Sequence, residues 1–221
     1  MHKRPLHLKA VVFDFDGTLA LLNIDFKEMR RDILDLAASY GISEDGMERL
    51  FVLEMIAEMR LRIGQRSPGH EGAFSGRALR LVTERELAGS VNSRLFPGVK
   101  EMLVELRRRG IKTGILTRNC LEAVTAIFPD IGDYSDAVVT RDDTERVKPH
   151  PDHIRAVLRI LNEAPARSAM VGDHPMDIFV GKEVGALCVG VLTGYSGIAD
   201  LQGAGADLIL ERASDITACL E

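Results

Sequence analysis

The apolar positions of this chain follow two periods. Val11-Val12-Phe13 is an unbroken run of β-branched and aromatic residues with Gly17 shortly after it, which predicts a buried strand that stops at the glycine. From about residue 22 to 93 the period becomes helical. Phe26, Met29, Ile33, Leu36 and Tyr40 fall on one face, and Gly41 closes that helix. Ser43 is placed to cap a second helix through Leu50, Met55 and Met59, whose methionines read as core. The stretch Gly64 to Gly76 holds four glycines and one proline and predicts a loop with at most a turn of helix, and a third helix is expected over 78–88.

From Phe96-Pro97-Gly98 onward strands and helices alternate. The pattern predicts a helix over 99–109 ended by Gly110, a strand over 111–116, and a helix from about Leu121. A short strand is expected at 136–140, then a helix at 151–161 with Ile154, Val157, Leu158 and Leu161 on one face. Strands at 169–171, 188–192 and 207–210 follow, with a helix at 176–184 and a last helix capped by Ser214. Alternating strands and helices with apolar strands give an α/β fold: a doubly wound parallel sheet with helices on both faces. The helical stretch is then an insertion, so the expected division is 1–21 with 94–221 as the core and 22–93 as a second, helical domain.

Bulk properties narrow the function classes. The chain has 221 residues, enough for one core and a sizeable insertion. A formal net charge of −5 argues against nucleic-acid binding by bulk electrostatics. The Arg107-Arg108-Arg109 run reads as cations at a helix C-terminus, where they favour the dipole. No segment approaches the length of an uncharged membrane span. Lys3 and Arg4 open the chain as a signal peptide would, but Lys9 and Asp14 interrupt the segment that follows, which argues against a secretory leader. Cys120, Cys188 and Cys219 have no metal-ligand spacing and read as free thiols of a cytoplasmic protein, Cys188 as plain core.

The candidate chemistry lies where the predicted strands end. Asp14 and Asp16, at i and i+2 on an extended segment, point the same way at the carboxyl end of the first strand, where open α/β sheets place their ligands. Two like charges so close need a shared proton or a cation, and Mg²⁺ suits them because it takes oxygen ligands. Thr117-Arg118-Asn119 follows Ile115-Leu116 and offers a hydroxyl and backbone N–H groups to phosphate oxygens. Lys148-Pro149 puts a cation before a helix, where it can balance the two aspartates and a phosphate. Gly172-Asp173-His174-Pro175-Met176-Asp177 follows another strand. Asp173 and Asp177 there can complete an oxygen-rich Mg²⁺ site or cap the next helix. His174 reads as a polar loop side chain rather than a ligand, since Mg²⁺ prefers oxygen.

Taken together, Asp14-Phe15-Asp16-Gly17-Thr18, Thr117, Lys148-Pro149 and Gly172-Asp173 with Asp177 resemble the four motifs of the haloacid dehalogenase superfamily, in its phosphoglycolate phosphatase-like branch. The Gly194-Tyr195-Ser196-Gly197 turn also resembles that branch, and residues 22–93 match its small helical cap. The resemblance implies that Asp14 is a nucleophile forming an aspartyl-phosphate, and that Asp16 is the general acid and base. It implies Mg²⁺ held by Asp14, the Asp16 carbonyl and Asp173, with Asp177 binding or orienting the metal's waters. Thr117 and Lys148 would then hold the phosphoryl oxygens. Asp16 sets the chain apart from the dehalogenases themselves, which lack it, while a sugar-phosphate mutase remains an alternative. A phospho-accepting signalling module is the other alternative, though such domains lack a helical insertion after the first strand. Substrate choice would sit in the cap, where Arg62 and Arg66 adjoin the glycine-rich stretch and suit a substrate carboxylate. The implied partner is a small phosphorylated metabolite, with no nucleic acid and no membrane, for a monomer or homodimer.

Overall fold

A computed structural model describes residues 6–220. Lys3 and Arg4 lie outside them. The chain divides into two compact units, one formed by the residues through Leu22 with those from Asn92 onward, the other by Asn23–Val91.

The first unit is built on six strands, β1 (Ala10–Asp14), β4 (Lys112–Leu116), β5 (Ala137–Val139), β6 (Ser168–Gly172), β7 (Leu187–Val191) and β8 (Leu208–Leu210). They are all parallel, in the order β5-β4-β1-β6-β7-β8. The chain leaves β1 toward one edge and later returns to build the other, so the winding reverses beside β1. The carboxyl ends of the strands flanking such a reversal open into a crevice. A two-stranded antiparallel ribbon, β2 (Ala20–Leu21) with β3 (Arg94–Leu95), carries the two connections to the second unit.

Alternation along β1 separates the two faces of the sheet. Val11 and Phe13 pack with Met102, Leu103 and Leu106 of α4 (Val99–Arg108) and Val124 of α5 (Leu121–Ile127). Ala10 and Val12 pack on the opposite face with Ile154, Val157, Leu158 and Leu161 of α7 (Asp152–Leu161) and Val180 of α8 (Pro175–Val184). Two short helices not legible in the apolar pattern, α6 (Ile131–Tyr134) and α9 (Ile198–Gly203), complete the unit. The chain's last helical segment differs from the expectation at its start. It is a 3₁₀ turn over Ala213–Cys219, closed by the Asp215 carboxylate on the Arg212 N–H at 3.3 Å, with Ser214 inside it rather than at its cap.

The second unit holds three helices, α1 (Phe26–Ser39), α2 (Val52–Arg66) and α3 (Glu71–Ser90). Met29, Ile33, Met55, Met59, Ile63, Phe74 and Ala78 make its core, so the methionine stripe is core. Arg85 of α3 ties Glu28 and Asp32 of α1 at 2.7 and 2.6 Å. Two sequence expectations are corrected here. Ser43 bonds Asp45 in a turn at 2.6 Å, with Gly46 in the left-handed region, and α2 starts only at Val52. The glycine-rich stretch is mostly helix: α2 runs through Gly64 to Arg66 and α3 carries Gly72 and Gly76, leaving only 67–70 as loop. Glycine costs a helix about 1 kcal/mol per residue, and burial of Ile63, Phe74 and Ala78 between the helices outweighs it.

Candidate active site

Register brings the polar clusters to one level. Asp14 pairs across from Leu116 of β4, so Thr117 emerges beside it; Phe13 pairs with Val171 of β6, so Gly172 and Asp173 emerge on the other side. Lys148 comes from the connection between β5 and α7, and Asp177 from the first turn of α8. Asp14, Asp173, Asp177 and Lys148 are all nearly inaccessible, at 4%, 3%, 0% and 4% exposure.

Lys148 Nζ ion-pairs with Asp14 Oδ1 and lies 2.6 Å from Asp177 Oδ1. Asp177 uses its other oxygen as a helix cap, accepting from the His174 N–H at 3.1 Å. Asp173 accepts from Thr18 Oγ1 at 3.2 Å and from the Tyr195 N–H at 3.3 Å. Asp16 is half-buried, with Thr117 Oγ1 donating to one oxygen at 2.9 Å and Asn119 Nδ2 to the other at 3.3 Å. Asn119 in turn donates its N–H to Thr117 Oγ1 at 3.0 Å, and its side-chain carbonyl receives the Cys120 N–H. Arg118 is half-buried and directs Nη1 at Met176 Sδ, 3.2 Å away.

Three glycines make room for the carboxylates. Gly17 sits at φ +80°, a conformation other residues resist, and a Cβ there would stand 2.6 Å from Asp173 Oδ2. A Cβ on Gly194 would fall 1.7 Å from the same oxygen, and one on Gly172 would fall 2.2 Å from Asp177 Oδ2. Thr193 Oγ1 donates to the Gly17 carbonyl at 2.6 Å, fastening the loop after β7 to the turn after β1.

The electrostatics of this cluster are unbalanced. Burial pushes the Asp14 carboxyl well above its usual range. Lys148 pulls it back, but Asp177, Asp16 and Asp173 raise it again. Burial, reinforced by Asp177, lifts Asp173 to about 6 against the opposing pull of Lys148. Lys148 is held above its ordinary value, because Asp14 and Asp177 outweigh the lowering effect of its burial. Asp14, Asp173 and Asp177 each offer an oxygen within 4.8 Å of the others. Asp14 Oδ1 meets the Lys148 ammonium, which it shares with Asp177. Three buried carboxylates against one ammonium, with an oxygen-only donor set, fit a hard divalent cation.

Sequence reasoning placed Asp14, Asp16, Thr117, Arg118, Asn119, Lys148, Asp173 and Asp177 among the candidates, and all eight gather at these strand ends. Arg62 and Arg66 belong to the helical unit. Arg62 there binds Glu58 at 2.7 Å and the Asp45 carbonyl at 2.8 Å, and the Arg66 guanidinium lies beside Gly41. His174 caps α8, its Nδ1 accepting from the Met176 N–H at 3.1 Å. The spacing of the motifs points to neither Thr193 nor His153, whose Nδ1 accepts the Lys148 N–H at 3.0 Å. Thr18 closes the first motif and is readable there; the contacts of Thr193 and His153 arise where separate segments meet, which spacing does not encode.

Residues 8–185 match the family of haloacid dehalogenase-like hydrolases, and the chain belongs to that family. Among curated relatives, the pyrophosphatase PpaX of Bacillus cereus is 35% identical over 123 residues, 55% of this chain and 57% of the relative. The chain thus matches little more than half the length of such relatives. Among solved structures, CbbY from Rhodobacter sphaeroides in complex with phosphate is 26% identical with a TM-score of 0.63, over 95% of this chain and 96% of the other. A predicted phosphoglycolate phosphatase from Haemophilus somnus shares the fold at 20% identity and a TM-score of 0.64, over 96% and 97% of the two chains.

Proposed function

We propose that this hydrolase is a Mg²⁺-dependent phosphatase that cleaves a small phosphate monoester through an aspartyl-phosphate on Asp14. One observation carries the reading: the buried carboxylates of Asp14, Asp173 and Asp177 converge on one another, and the ammonium of Lys148 pairs with only Asp14 and Asp177, which leaves negative charge in excess. The side chains of Asp14, Asp173 and Asp177 would hold the cation together with Asp16. When bound, Mg²⁺ supplies positive charge that keeps these carboxylates ionised and offsets charge on the phosphoryl group.

The chain's own residues divide the work. An Asp14 oxygen attacks phosphorus while the ester P–O bond breaks, and Asp16 gives its proton to the leaving oxygen. Asp16, now a carboxylate, takes a proton from water. That water attacks phosphorus, the bond to Asp14 breaks, and phosphate leaves. Lys148 and Thr117, with the Asn119 side, hold the phosphoryl oxygens. Thr117 Oγ1 donates to Asp16 in this structure. A phosphoryl group accepting from Thr117 would free Asp16 to turn toward the leaving oxygen.

Residues 22–93 are read as the cap that sets specificity, with Arg62 and Arg66 as candidate contacts for a substrate carboxylate. The similarity to a protein named pyrophosphatase PpaX adds inorganic pyrophosphate to phosphoglycolate as a substrate to try. A cytoplasmic setting and a monomeric or homodimeric state belong to the same reading.

The test is phosphate release from a panel holding phosphoglycolate, pyrophosphate, sugar phosphates and an aryl phosphate, with Mg²⁺ or chelator. Release that needs Mg²⁺ and falls by at least about a thousandfold in Asp14→Asn and Asp16→Asn is expected. A folded, Mg²⁺-supplied protein that releases phosphate from none of them would overturn the reading.

A further inference from the structure

We propose that His153 is a positioning residue that holds the backbone of Lys148, and through it the Lys148 ammonium, in register with Asp14 and Asp177. Its kinetic consequence depends on the phosphatase reading above; its structural consequence does not.

His153 lies in the first turn of α7 and is fully buried. The rest of the buried face of α7 is apolar, formed by Ile154, Val157, Leu158 and Leu161. An imidazole there costs free energy unless its polar atoms are used. One of them is: Nδ1 accepts the Lys148 N–H at 3.0 Å. That amide belongs to an irregular connection, outside any strand ladder, and a buried N–H without a partner would be costly. Nε2 receives or makes no hydrogen bond of good geometry among the described residues, so the one well-formed bond of the ring goes to Lys148.

The ring is held in the form this contact requires. Burial, with the Lys148 charge next, pushes His153 down to about 3, against a weaker opposing pull from the Val139 and Thr140 carbonyls. A neutral ring that accepts at Nδ1 carries its proton on Nε2. The connection between the two residues contains Pro149 and Pro151, whose rings fix φ and limit how the loop can move. His153 supplies the remaining anchor at the amide of Lys148 itself. The lysine side chain then reaches two buried carboxylates at ion-pair distance. A shift of its backbone would be passed on to Nζ, and reacting groups misplaced by about 1 Å can lose up to about a hundredfold in rate.

The test compares the full chain with His153→Leu, which keeps apolar bulk without an acceptor, and His153→Asn, whose amide oxygen can stand near the Nδ1 position. With Mg²⁺ and the best ester of the panel, His153→Leu is expected to lose at least about tenfold in kcat with KM little changed, and His153→Asn to recover most of it. Wild-type kcat in the leucine variant, or an asparagine variant as impaired as the leucine one, would overturn the assignment. ¹⁵N spectra of the ring and hydrogen exchange at the Lys148 amide give a readout that needs no turnover. An Nε2–H ring in the wild type, with Lys148 exchange faster in His153→Leu, is expected. A ring protonated on Nδ1, or charged at neutral pH, would overturn the proposal even if no ester is hydrolysed and the phosphatase reading has itself failed.

Discussion

At the scale of single residues, the carboxylates occupy space that side chains on neighbouring glycines would fill. Gly194 shows this most sharply, because any Cβ there would overlap Asp173 Oδ2 at 1.7 Å. Mg²⁺ is expected to raise the melting temperature of the wild type, and Gly194→Ala to displace Asp173 and remove that rise, with phosphate release falling at least about tenfold. Thermal unfolding with and without Mg²⁺ reads this, and an alanine variant that keeps the full rise would contradict it. The acidic residues themselves were legible because each stands directly after an apolar strand. What the sequence did not carry is how oxygens are shared. The spacing allows Asp177 to be either ligand or cap, and it serves Lys148 with one oxygen and caps α8 with the other.

At the scale of elements, the strands and the amphipathic helices of the sheet unit were legible because buried strands read as short apolar runs and α7 shows its face at helical spacing. The order β5-β4-β1-β6-β7-β8 was not, since periodicity says nothing about which strands are neighbours. Glycine content misled at α2 and α3. Local propensity favours a loop there, yet contacts between Ile63, Phe74 and Ala78 hold two helices. A consequence follows at Gly72, which lies in α3 with nothing near its missing Cβ. Gly72→Ala should stabilise the protein by about 0.5–1 kcal/mol in denaturant unfolding, whereas a loop there would give no gain. The opposite is expected at Gly114 of β4, where a Cβ would stand 2.3 Å from Val157 Cγ1 of α7. Gly114→Ala should cost about 1–3 kcal/mol, and Val157→Ala in the same chain should return part of it.

At the scale of the whole molecule, the crowding of buried carboxylates makes the site a local destabilisation, which a bound cation is expected to relieve. Asp173 has a folded value of about 6, above its ordinary 3.8. Its contribution to stability is therefore fully present below about pH 4 and is lost as pH rises through about 6, on the order of 3 kcal/mol in cation-free protein. The melting temperature of the wild type relative to Asp173→Asn, in chelator, should fall between pH 4.5 and 7. Mg²⁺ should raise the wild-type value more at pH 7 than at pH 4.5, because the carboxylate competes with its own proton at the lower pH. A difference between the two proteins that does not change with pH would contradict this account of Asp173.

The covalent role of Asp14 is the central claim, and trapping the intermediate tests it most directly. Asp16→Asn would lack the base that activates water, while an aryl phosphate leaves readily without a protonated Asp16. Mixed with Mg²⁺ and an aryl phosphate, quenched in acid, digested and analysed by mass spectrometry, that variant should carry a phosphoryl group on Asp14. A phosphoryl group on another residue, or hydrolysis by Asp14→Asn at the wild-type rate, would contradict the mechanism.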